Sequence, residues 1–259
     1  MTTIKYRSAG TMPLFDASNL AGALKVLSES DVAATHWSSS DGGPRVPFDA
    51  DDITALVDGS PSNHAVYVFR STNPRWEFSA SLSRRPFLFF DGDASDSADV
   101  SAIATTLVEL DNLYEPDISS TWFGPELEWT WSTPHQRDLL RLLHAVLLAP
   151  SDYYRMGPGG LGVRTLLGPH YVKQFGRDRL LGTPVHIMEL AWGGVRLDLV
   201  EDPWNTSMER LVDAWRRGME HLSPAGIFAD VEIDEGEKFI DYVRKGSNVV
   251  IGGVLPKES

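Results

Sequence analysis

The chain has 259 residues, no cysteine, and a formal charge of −13 from 36 acidic and 23 basic residues. The missing thiols exclude disulfides, thiolate-bound metals and cysteine nucleophiles, and no apolar run approaches the ~18 residues of a transmembrane helix. Most of the imbalance sits in one stretch, Pro86 to Gln136, with ten acids and no Lys or Arg; such a field repels a phosphate backbone and argues against nucleic acid as a partner.

The opening MTTIKYRSAG lacks the apolar core of a signal peptide, so the expected location is the cytoplasm. Ile4 to Arg7 is predicted as a short first strand. Asp16 to Ser28 reads as a helix, with Leu20, Leu24 and Leu27 at helical spacing behind Asp16 and Ser18. His36 to Pro47 is rich in Ser, Gly and Pro and reads as loop. Asp49 is placed to cap a short helix carrying Ile53, Leu56 and Val57, closed by Gly59. The clearest β region follows: His64 to Arg70, Trp76 to Leu82 and Phe87 to Phe90, with an Asn73-Pro74 turn between the first two. Ser97 or a neighbour caps a helix to about Leu110, with Val100, Ile103, Leu107 and Leu110 on one face. Tyr114 to Trp122 returns as a strand.

Thr133, Pro134 and Gln136 form a capping box with proline at the first helical position. The helix runs to about Leu148, and Ala149-Pro150 ends it. Met156 to Gly162 must be loop, and Pro169 opens a short helix toward Phe175. Val185 to Trp192 and Val195 to Val200 flank Gly193-Gly194 as a tight hairpin. Thr206 and Glu209 suggest another capping box for a helix to His221, bearing Met208, Leu211, Val212, Trp215 and Met219. The region from Lys238 to Val254 holds one or two short strands. The order predicts an α+β fold, mostly antiparallel sheet with helices packed on one face. It divides into an N-terminal half, 1–132, and a C-terminal half, 133–259, separate or packed as one domain.

Several motifs are excluded by spacing. The loop Gly157 to Gly162 has no lysine for a P-loop and the wrong spacing for a Rossmann turn. The run Asp91, Asp93, Asp96, Asp99 resembles a calcium loop, but an EF-hand counted from Asp91 needs Gly where Asp96 stands and Glu where Ala102 stands. These acids suit a helix N-terminus instead. No HExxH, HxxxH or GxSxG pattern occurs, and neither metal nor cofactor is expected.

Two candidate sites remain. Around Trp122 to Trp131, alternation sends Leu127, Trp129 and Trp131 to one side and Glu126 and Glu128 to the other. Exposed Trp beside carboxylates would anchor a basic partner; with all three Trp in the core, the segment is structural. The partner-binding set is Glu115, Asp117, Glu126, Glu128 and Trp129, with Asp91 and Asp93 at its rim. The plain alternative is surface acidity that keeps the chain soluble, with bases from elsewhere beside it in space. The second candidate is a polar neighbourhood of Arg164, His170 and Asp198. It would serve an enzyme or a small-molecule binder if those groups converged. Alternation puts Arg196 and Asp198 on one side of their strand, facing solvent or forming an ion pair.

From about Leu161 to Pro224 the chain resembles the type VI immunity family of bacterial polymorphic-toxin systems. The residues are Arg164-Thr165-Leu166-Leu167-Gly168-Pro169, Phe175-Gly176, the hairpin Trp192-Gly193-Gly194-Val195-Arg196-Leu197, Asp202-Pro203, and the helix ending Leu222-Ser223-Pro224. The resemblance implies a cytosolic protein that binds and neutralises a toxin and has no catalysis of its own. It assigns no contact residues.

Overall fold

The computed structural model describes residues 1–10, 17–59, 65–81, 87–124, 134–148, 150–234, 239–243 and 250–254. The fold is α+β, built on antiparallel strand pairs. The chain forms two compact units, Met1–Ser119 with Phe123–Pro125, and Ser120–Trp122 with Glu126–Ser259.

The first unit contains β1 (Thr2–Ala9), α1 (Ala17–Glu29), β2 (His36–Ser38), β3 (Val46–Pro47), α2 (Ala50–Asp58), β4 (Ala65–Arg70), β5 (Arg75–Ser81), β6 (Phe87–Ala94) and α3 (Ser97–Tyr114). β7 (Ile118–Gly124) contributes residues to both units. The strand order is β3-β2-β4-β5-β6-β1-β7. The predicted loop at His36–Pro47 is corrected: His36 to Ser38 pair with Tyr67 to Phe69 of β4, and two residues of the return form β3. That pairing depends on a partner some thirty residues away, which local composition does not display. β6 also continues past Phe90 to Ala94, because β1 and β5 flank Asp91 to Ala94 and supply its ladder partners.

The core of this unit lies between one sheet face and the helices. Leu20, Leu24 and Leu27 of α1 and Val100, Ile103, Leu107 and Leu110 of α3 are buried, so both predicted apolar stripes face inward. Ile4, Tyr6, Trp76, Phe78, Leu88 and Phe90 meet them from the sheet. Two polar anchors fix the layers. The Trp76 indole donates to the Val32 carbonyl at 3.0 Å. Tyr6 and Ser119 hydroxyls donate to the two oxygens of buried Asp111 at 2.8 and 3.0 Å. Asp49 caps α2 as expected, accepting from the Asp51 and Asp52 amides. α3 is capped by Asp96, one residue before Ser97, and ends at Glu115 in a left-handed conformation.

The second unit contains α4 (Pro134–Leu147), α5 (Pro150–Met156), β8 (Arg164–Leu167), α6 (Pro169–Phe175), α7 (Arg177–Leu181), β9 (His186–Glu189), β10 (Val195–Asp198), α8 (Met208–Leu222), β11 (Asp230–Asp234), β12 (Phe239–Val243) and β13 (Val250–Val254). Strand order is β7-β8-β10-β9, and β11-β12-β13 form a separate sheet. The predicted hairpin is present, Val195 pairing with Glu189 and Asp198 with His186. Pro150 does not only end α4; it opens α5, a role suited to its fixed φ. α8 is capped by Ser207 instead of Thr206, whose hydroxyl donates to the Asp202 carbonyl. β11 lies ahead of the tail predicted to hold strands.

Candidate partner-binding surface

Strand alternation and register give the sheet of the first unit a second face, turned away from its helices. Lys5 and Arg7 of β1, Phe89 and Asp91 of β6, Glu77 of β5 and Tyr67 of β4 lie on it, all half-buried. Asp91 stands opposite Lys5 on one side and Glu77 on the other. Its carboxylate accepts from Lys5 Nζ and from Arg7 Nη2, each at 3.0 Å. Arg7 also covers the Phe89 ring at 4.8 Å, and Phe89 meets Phe87 edge-on at 5.3 Å. The Thr3 hydroxyl donates to Asp93 at 3.3 Å. The bases missing from the Pro86–Gln136 stretch are thus supplied to Asp91 by β1.

The neighbouring acid behaves accordingly. Burial raises the Glu77 carboxyl above its ordinary value; Arg45 pulls it down, while Asp41 and Asp91 push it further up. Burial raises the Tyr67 phenol too, reinforced by Asp41 and Glu77. Arg45 lies over the Phe69 ring at 3.9 Å. Tyr, Phe and Arg in this density are the residues enriched where protein surfaces meet. Sequence reasoning missed Lys5 and Arg7. Their signal is the alternation of Lys5 and Arg7 with Ile4 and Tyr6 along the first strand.

The predicted binding residues do not gather on this face. Asp91 and Asp93 share it. Glu115 is the C-cap of α3, and Asp117 precedes β7. A Cβ on Gly10 would touch Pro116 at 3.6 Å, so this corner adjoins the far end of β1. Asp93 instead pairs with Thr3 at the start of that strand; the six intervening residues span about 20 Å. Glu126, Glu128 and Trp129 lie outside the described residues. Three of the other acids of the stretch have structural duties: Asp96 accepts from the Asp99 amide at 2.9 Å, Asp99 accepts from Asn73, and Asp111 is in the core; Glu109 is exposed on α3. Among the described residues no group of His, Asp and Glu is arranged to hold a metal.

In the second unit, Arg164 and Asp198 do come together, as cross-strand partners of β8 and β10. Arg164 Nε and Nη2 donate to the two Asp198 oxygens at 2.6 and 3.2 Å, and Arg196 Nε approaches the second at 3.1 Å. The Arg196–Asp198 ion pair matches expectation, but the face is not solvated: Asp198 is 1% exposed. Trp204, in the turn after β10, lies over the Arg164 guanidinium at 4.7 Å and helps close it off. His170 is exposed at the start of α6, and its Nε2 bonds Gln174. Both Asp198 oxygens are therefore occupied by guanidinium groups, and His170 has its own partner elsewhere.

The glycine loop is packed instead of open. A Cβ on Gly159 would stand 2.6 Å from the His144 carbonyl, and one on Gly162 2.8 Å from the Thr121 carbonyl. Backbone fills the space a phosphate would need.

Among the described residues no helix is long and apolar enough to cross a membrane. No family model matches the sequence, and no curated protein matches it. A solved structure of a T6SS protein of Pseudomonas aeruginosa is similar, with a TM-score of 0.58 over 88% of this chain and 77% of that one, at 11% identity. At that identity the likeness establishes a shared fold.

Proposed function

We propose that the chain is an immunity-type protein that binds a cognate, basic protein toxin in the cytoplasm and neutralises it by occlusion. The observation that carries the reading is the fold likeness to a T6SS protein across 88% of the chain. Two further features support it. The second unit carries the residues that resemble the type VI immunity family, and the Pro86–Gln136 stretch has ten acids and no Lys or Arg. A field of one sign raises the encounter rate with an oppositely charged protein. In this reading Glu115, Asp117, Glu126, Glu128 and Trp129 face the toxin, with Asp93 at the rim. Asp91 contributes little charge, since Lys5 and Arg7 balance it.

Growth provides the direct test. The product of an adjacent open reading frame is expressed alone and together with this chain. Rescue of growth, with a complex that dissociates as salt rises from 50 to 500 mM and the screening length falls from about 14 to about 4 Å, is the expected result. No rescue by this chain from any neighbouring product, and no protein retained at low salt from the native cell, would defeat the reading.

A further inference from the structure

β9 is the outermost strand of the second unit, and among the described residues β10 is the one strand paired with it. The Leu190 amide donates to the Gly194 carbonyl at 2.9 Å, which makes Leu190 and Gly194 a hydrogen-bonded pair. Antiparallel ladders alternate hydrogen-bonded with non-hydrogen-bonded pairs. Met188 with Arg196 and His186 with Asp198 are therefore bonded pairs, while Glu189 with Val195 and Ile187 with Leu197 are not. The far side of β10 agrees: the Leu199 amide donates to the Val163 carbonyl at 3.0 Å, so Val195 and Leu197 turn their backbone groups toward β8. The amides and carbonyls of Ile187 and Glu189 point away from β10, and no hydrogen bond reaches them among the described residues.

Proteins commonly blunt such an edge with shortness, proline, lysine or a bulge. β3, the edge strand of the first unit, has two residues, one of them Pro47. β9 has none of these devices: it holds four residues in unbroken register, without Lys or Pro. Its carboxylate, Glu189, is paired with Arg177 of α7, so the edge carries little net charge. In a chain of net charge −13, a like molecule meets little repulsion there. Met188 is 42% exposed, more than any other large apolar side chain described in the second unit.

These features select the occupant. Ile187 and Glu189 stand one on each side of Met188, so their four backbone groups match those of a second copy about a two-fold axis through Met188. Ile187 of each copy then exchanges both hydrogen bonds with Glu189 of the other. The two Met188 side chains face each other at a non-hydrogen-bonded pair, about 4.5 Å between Cα atoms, where side chains come closest. Each Glu189 stands opposite an isoleucine, so no like charges are opposed. A register that set Glu189 against itself would oppose two carboxylates.

We propose that β9 is a docking edge at which a second copy of this chain adds its own β9, antiparallel and centred on Met188. The contact spans few residues on each copy, well below the ~1,200 Å² of a stable complex. Its dissociation constant is accordingly on the order of 0.1–1 mM. This self-pairing is independent of the toxin-binding reading.

The test starts with sedimentation of the full chain up to about 1 mM, where the mean mass should rise from monomer toward dimer. Met188→Lys, at an exposed position, should keep the wild-type unfolding midpoint yet stay monomeric over the same range, because two ammonium groups would face each other. Thiol cross-linking then reads the register, in a chain with no cysteine of its own. Met188→Cys places the two sulfurs across the axis within disulfide reach, whereas in Glu189→Cys the two Cα atoms stand about 8 Å apart, beyond it. Under mild oxidation Met188→Cys should form linked dimer on the order of tenfold faster than Glu189→Cys. A wild type that is monomeric at the highest concentration, a Met188→Lys protein that associates as well as wild type, or equal cross-linking of the two cysteine variants would each overturn the proposal.

Discussion

Arg164 and Asp198 face each other across β8 and β10, and the Asp198 carboxylate takes both Nε and Nη2 of the guanidinium, at 2.6 and 3.2 Å. The two side chains are 7% and 1% exposed. Removing one partner of such a pair leaves the other charge buried without compensation, a loss of about 3–5 kcal/mol. Asp198→Ala is therefore expected to lower the urea midpoint steeply and Asp198→Asn less so, because the amide keeps one acceptor for the guanidinium. The two substitutions should also act through Arg164: in an Arg164→Met background Asp198→Ala should cost much less. A full-strength loss in that background would show that Asp198 stabilises through something else.

The glycine loop offers a ranking. At Gly157, φ is +88° and an added Cβ would overlap the Ile227 carbonyl. At Gly159 a Cβ meets the His144 carbonyl at 2.6 Å without a positive φ. At Gly176, φ is +83° but nothing lies within 4 Å. Gly157→Ala combines both penalties and should be the worst, while Gly159→Ala should lose roughly 1–3 kcal/mol to overpacking and Gly176→Ala about 1–3 kcal/mol to backbone strain, because its φ of 83° with ψ of 124° lies outside the left-handed helical region. Thermal unfolding of the three variants checks the order. A Gly159→Ala protein as stable as wild type would mean that the loop has room to shift.

What the sequence made legible was mostly local. Asp49 as a cap, the Gly193-Gly194 hairpin, and the apolar stripes of α1 and α3 follow from periodicity and turn chemistry, and all are present. The differences arise where a distant partner decides. Alternation correctly put Arg196 and Asp198 on one side of β10, but Arg164 and Trp204 turn that side into interior. Likewise the acids at Asp91 and Asp93 looked like an open charge run, whereas Lys5 and Arg7 sit over Asp91 from a strand more than eighty residues away.

Glu115 ends α3 at φ 43° and ψ 57°, a left-handed conformation that a residue with a Cβ adopts at a cost. Its amide still closes the helix by donating to the Asp111 carbonyl at 2.9 Å. Glycine is the usual residue at such a terminus, so Glu115→Gly should stabilise the chain by about 1 kcal/mol. The same substitution removes a carboxylate from the proposed toxin-facing set. A variant that is more stable yet binds its partner less well would give Glu115 a binding role. Unchanged affinity would take Glu115 out of the interface.

His144 lies on the inner side of α4 with no exposed surface. Burial, with a smaller push from Arg141, holds its pKa down from 6.5 to about 3. The unfolded chain therefore binds a proton near pH 6.5 that the native state refuses until near pH 3. The stability from keeping this imidazole neutral is complete above that upper value and is lost progressively as the pH falls through the window. A single such group gives a slope of up to about 1.4 kcal/mol per pH unit. Urea midpoints of wild type at pH 7, 5 and 4 should fall accordingly. His144→Gln, whatever its stability at pH 7, should fall less steeply over the same range, since its side chain does not titrate. Parallel curves for the two proteins would assign the acid sensitivity to carboxylates instead, with Asp111 in its buried cradle of Tyr6 and Ser119 the first to examine.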